Sequence, residues 1–192
     1  MQSQPVAWST LAHADRMLSF VERVLLVGSG CAVILMMAIT SVDVVMRYAV
    51  NSPLSWGFDL LTHYILPASF FLAFSYTLGR QGHVSVEFFS KKLDRRTYHA
   101  VIGAGFLLAF FLLGVIGVAT TMDTYSAWAY DDVIAGAVLW PVWLSKAIVP
   151  LGMLPLALRT LYLAFAHWAC VADPLAEDAL GLGPIDELAN EI

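Results

Sequence analysis

Residues 43–59 read DVVMRYAVNSPLSWGFD and join an apolar run ending near Met46 to a second one, LLTHYILPASFFLAFSYTL, at residues 60–78. The second run closes on RQGHVSVE at residues 80–87. Ionisable groups are costly in lipid, so each of these breaks has to fall at a membrane surface. Of the 192 residues, 59% are hydrophobic and 13% charged, where a soluble domain carries roughly 25% charged residues. Water is therefore not the main solvent of this chain.

A hydrocarbon core of about 30 Å needs about 20 apolar residues at about 1.5 Å of rise each. Four runs meet that length, at residues 24–46, 60–78, 100–122 and 142–166. Pro67 predicts a kink in the second, and not a stop. Gly103, Gly105, Gly114 and Gly117 in the third let neighbouring helices approach closely. In the fourth, Lys146 and Arg159 are expected to snorkel toward opposite surfaces.

Arg80, Lys91, Lys92, Arg95 and Arg96 lie between the second and third runs, whereas Asp123, Asp131 and Asp132 lie between the third and fourth. The positive-inside rule makes the basic connection cytoplasmic, which puts both termini there too. The expected division is a cytoplasmic segment at 1–23, a membrane domain at 24–171 and an acidic cytoplasmic tail at 172–192. The first run is too long for the apolar part of a signal peptide, so the N-terminus is expected to stay attached. Cys31 and Cys170 fall at different depths, which argues against a disulfide. No internal repeat is visible, and nothing points to nucleic acid.

Between residues 84 and 96, Val86, Phe89 and Leu93 recur at helical spacing, with Glu87, Lys91, Asp94 and Arg95 on other faces. That pattern predicts an amphipathic helix in the cytoplasmic surface of the membrane. Lys91, Lys92, Arg95 and Arg96 would meet lipid headgroups, or act only as a topology-setting basic loop. Asp43 and Arg47, four residues apart with the acid first, are placed to form an ion pair. Such a pair fixes the end of the helix, or meets a partner. Asn51-Ser52-Pro53 should end that helix. Trp56 suits the interfacial aromatic belt, and Asp59 either caps the second helix or contacts another one. Gly82 permits a sharp turn before His83.

Taken together, Asp43-Val44-Val45-Met46-Arg47-Tyr48, then Asn51-Ser52-Pro53-Leu54-Ser55-Trp56 with Asp59, then Arg80-Gln81-Gly82-His83-Val84-Ser85-Val86-Glu87 resemble the small permease subunit of TRAP transporters, the DctQ-like family. The family usually has glutamate where this chain has Asp59 and aspartate where it has Glu87; both changes keep the charge. The resemblance implies an all-α integral membrane protein of the bacterial inner membrane, with four transmembrane helices and the surface helix. It also implies two partners, a large permease subunit and a periplasmic substrate-binding protein, and ion-coupled uptake of an organic acid. The small subunit would scaffold the large one, without enzymatic activity or a cofactor. On this reading Asp43, Arg47, Tyr48, Asn51, Trp56 and Asp59 form an outer rim, and Arg80, Gly82, His83 and Glu87 an inner turn. The competing reading is a haem-binding anchor of a respiratory oxidoreductase, with His83, His99 or His167 as axial ligands. Against it, none of these three histidines is expected within a span.

Overall fold

The computed structural model describes residues 6–79 and 94–172, apart from position 137. Residues 84–93 of the surface helix expected at 84–96, the inner-turn residues Arg80, Gly82, His83 and Glu87, both Lys91 and Lys92, and the tail after Ala172 lie outside the described residues. Among the described residues the fold is an α-helical bundle of four helices, each long and apolar enough to cross a membrane. Helix α1 covers Val6–Val45 and runs on through a π-helical turn, Met46–Val50. Helix α2 covers Gly57–Gly79 and contains a second π turn at Leu61–Ile65. Helices α3 and α4 cover Arg95–Ala129 and Val142–Ala172.

Two boundaries differ from expectation. Residues 6–23 are not a separate segment but the first turns of α1, and Arg95 and Arg96 open α3 after an extended Asp94 instead of ending a surface helix. The cause is length: polar residues continue a helix readily once it has left the hydrocarbon, so hydropathy marks the lipid-crossing part and not the helix end. At about 1.5 Å per residue, the 35 residues of α3 extend well past a core of about 30 Å.

Helix α4 packs on both α2 and α3, and α2 packs on α1, which leaves α1 and α3 at opposite edges of the bundle. The edge helices accordingly expose large apolar side chains, such as Val24, Ile34 and Met37 on α1 and Leu108, Phe111 and Val115 on α3. In water such a surface would aggregate, whereas lipid tails solvate it. The α2–α4 crossing depends on Gly152, because a Cβ there would run into the carbonyl oxygen of Phe71 and lie 2.6 Å from its carbonyl carbon. On α3, Gly103 gives the expected close approach, with Trp168 filling the space its missing side chain leaves. Gly105, Gly114 and Gly117 do not, since nothing lies within 4 Å of a Cβ built on any of them.

Pro67 leaves α2 intact, as expected. It has no N–H to return to the carbonyl of His63, four residues back, and the Ser145 hydroxyl of α4 donates to that carbonyl at 2.6 Å. Ser145→Ala should therefore lower stability by about 1 kcal/mol; an unchanged melting temperature in detergent would count against this stitch. Nearby, the Tyr64 hydroxyl donates to the carbonyl of Pro141 at 2.6 Å. Pro141 belongs to a short antiparallel ladder in which Val133 pairs with Pro141 and Ile134 with Trp140. Helix α3 ends before this hairpin with the amide of Asp132 on the carbonyl of Ala127 and that of Asp131 on Trp128. Asp131 takes the left-handed conformation (φ 50°) such a stop requires.

Candidate functional site

The break between α1 and α2 is built around Asp43. One carboxylate oxygen accepts from the Arg47 guanidinium at 2.8 Å, and the other accepts from the backbone N–H of Leu54 at 2.8 Å. The ion pair is thus the one the spacing predicts, and the second bond ties the returning chain to the end of α1. Asn51 makes the turn possible by taking a left-handed conformation (φ 56°), which asparagine tolerates better than most residues. Its N–H reaches back to the carbonyl of Met46. Among the residues expected at the rim, then, Asp43 and Asn51 hold the backbone, and Arg47 is paired to Asp43.

Tyr48 and Trp56 stand differently. Tyr48 is 85% exposed and Trp56 is partly exposed, so both are available to lipid or to a partner. Asp59 is half-buried in the first turn of α2, and its carboxylate lies directly against Gly136 of the hairpin loop. Asp59 thus meets the hairpin loop, a neighbour the spacing of residues 43–59 did not reveal.

At the opposite end of the bundle, Arg159 corrects an expectation. It does not snorkel to the surface: its side chain is only 8% exposed. The guanidinium donates to Asp15 at 2.6 Å and to the carbonyl of Gly79 at 3.3 Å. Glu22, itself 2% exposed, lies 3.8 Å from Nε and accepts from the Ser75 hydroxyl at 2.7 Å. The ring of Tyr162 lies beneath the guanidinium carbon at 5.4 Å. A buried charge persists only with such partners; α1 contributes two, Asp15 and Glu22, α2 the Gly79 carbonyl and α4 the ring of Tyr162. Hydropathy missed this network because Asp15 and Glu22 precede the first apolar run. The available signal was depth: Glu22 directly before the run on α1 and Arg159 late on α4 come to the same level.

His99 and His167 were expected beside the spans at the cytoplasmic side; the structure buries both, facing each other, on helices α3 and α4. Their Nδ1 atoms are 3.0 Å apart, so one ring donates to the other. Phe106 stacks on His167, and Tyr98 meets His99 edge-on. Two rings in direct hydrogen-bond contact leave no room for a macrocycle between them, so this pair gives the haem-anchor reading no support. Among the described residues no group of three or more His, Cys, Asp or Glu side chains could hold a metal ion. Cys31 is exposed and Cys170 is buried, and no disulfide joins them.

Among the described residues, two levels of polar networks with apolar helices between describe a membrane component. The family model for the DctQ component of tripartite ATP-independent periplasmic transporters matches residues 36–170, well over half of the chain. The chain belongs to this family. As a DctQ protein it is the small membrane subunit of a TRAP transporter, a transport protein that works with a large permease and a substrate-binding protein. No curated protein and no solved structure matches it.

Proposed function

We propose that this DctQ subunit braces the large permease in the inner membrane and helps to dock the substrate-binding protein during ion-coupled uptake of an organic acid, with both termini in the cytoplasm. The observation supporting a brace over a carrier is the placement of charge. Among the described residues, Asp, Glu, Lys and Arg side chains gather at two levels of the bundle, the inner one reaching Arg159 near the midpoint of α4, and the stretches between those levels are apolar. Carriers bind substrate and ions on broken helices near the midplane, whereas the π turns here lie toward the hairpin end. The exposed apolar faces of α1 and α3 offer the broad surface a brace needs.

On this reading Tyr48, Trp56, Arg47 and Asp59 meet the large subunit or the docked binding protein, with Asp43 and Asn51 holding them in place. Arg80, Gly82, His83 and Glu87 make the inner turn into the surface helix, and Lys91, Lys92, Arg95 and Arg96 meet headgroups. Reversing two rim charges together, Arg47→Glu with Asp59→Lys, should reduce uptake about tenfold by turning complementary charges into like ones. The fold should survive, since an exposed pair such as Asp43–Arg47 contributes at most about 1 kcal/mol. Wild-type transport by a normally assembled double variant would refute the rim assignment.

A further inference from the structure

Beside the Arg159 network lies a cavity of about 290 Å³ whose lining includes Asp15, Glu22, Arg23, Gly79 and Arg159. Ligand pockets usually exceed roughly 300 Å³, so this one suits a small headgroup-sized group and not a whole lipid.

Its chemistry is specific in two ways. The lining carries two carboxylates and two guanidiniums, which balances to zero and favours neither a simple anion nor a simple cation. Arg159 also keeps one donor in reserve: its Nε is buried and has no hydrogen-bond partner, while Glu22 stands 3.8 Å away, too far to accept from it. A buried guanidinium N–H without an acceptor is costly enough to imply an absent one.

Depth points the same way. Val142 starts α4 at the hairpin end, and Arg159 follows 17 residues later (159 − 142), about 25 Å along the helix against a hydrocarbon core of about 30 Å. The apolar run of α1 begins immediately after Arg23 and that of α2 ends at Leu78. The cavity therefore lies where lipid tails give way to headgroups.

We propose that it binds the headgroup of phosphatidylethanolamine. The ammonium donates to the carboxylates of Asp15 and Glu22, and the phosphate accepts from Arg23 at the mouth and from the Nε–H of Arg159 inside. Asp15 has a second carboxylate oxygen beyond the one held by Arg159, and Glu22 has one beyond that held by Ser75. Phosphatidylcholine carries the same phosphate but no N–H donor, and phosphatidylglycerol lacks the cation. Of these three, only the ethanolamine lipid satisfies both halves of the site.

Native mass spectrometry of the full chain in detergent, titrated separately with the three lipids, tests the assignment. Phosphatidylethanolamine should be retained about tenfold more strongly than either other lipid, and Arg23→Gln should reduce its retention by a similar factor. Arg23 is exposed, so the variant leaves the bundle intact. Equal retention of all three lipids, or unchanged retention by Arg23→Gln, overturns the proposal. Displacement by millimolar inorganic phosphate would reduce the cavity to an anion site and overturn it as well. So would loss of the lipid on assembly with the large permease, which would give the cavity to a partner side chain.

Discussion

Arg159→Leu should destabilise the bundle by about 3–5 kcal/mol, the usual cost of removing one partner from a buried ion pair. The loss follows from what stays behind. Glu22 is 2% exposed and would retain only the Ser75 hydroxyl, while Asp15 and the Gly79 carbonyl would each lose a donor. Since these groups belong to α1 and α2, the variant should loosen both from α4. Arg159→Lys should recover only part of the loss, because a single ammonium cannot reproduce the guanidinium fork. Adding Glu22→Gln to Arg159→Leu should restore much of the stability by discharging the stranded carboxylate. Thermal melting by size-exclusion chromatography in detergent reads all three variants. If Arg159→Leu melted with the wild type, the network would be ornamental.

Gly152→Ala carries the other large effect, through geometry instead of charge. The added Cβ would meet the Phe71 carbonyl and lie 2.8 Å from the Phe71 Cβ. Backbone cannot rotate aside as a side-chain tip does, so α2 and α4 must separate. Overpacking of this kind costs about 1–3 kcal/mol, and Gly152→Leu should cost more. The crossing lies between the Tyr64–Pro141 bond at one end and the Arg159–Gly79 bond at the other, so a wider spacing strains both. Gly114→Ala supplies the contrast: with nothing within 4 Å, it should leave the isolated subunit as stable or gain up to about 1 kcal/mol in helix propensity. Melting curves showing equal losses at both glycines would contradict the crossing described here.

The rim and the inner network differ in how far the sequence exposed them. Asp43 and Arg47 are helical neighbours, so their pairing follows from a spacing of four, and Asn51-Ser52-Pro53 stops a helix by local backbone preference. Such contacts are short in sequence and therefore legible. Ser145 on the His63 carbonyl, Asp59 against Gly136, and Arg159 between Asp15 and Glu22 join residues far apart in the chain, which periodicity cannot pair. The pairing of the two histidines was hidden for the same reason. A ring at a helix end is counted as surface until a facing helix supplies the second ring.

What the sequence alone determined is the solvent and the order of events along the chain. Apolar run length selects a bilayer, the polar breaks mark its surfaces, and the motifs from Asp43 to Glu87 point to the family. Those follow from local free energies of transfer and of backbone conformation, which each segment carries by itself. Tertiary structure alone decided which helices occupy the middle, that Gly152 sets their spacing, and that Arg159 is clamped inside the bundle. Each of these depends on which surfaces meet at close range, and both the cost of a buried charge and the clash of an added methyl exist only once the helices have packed.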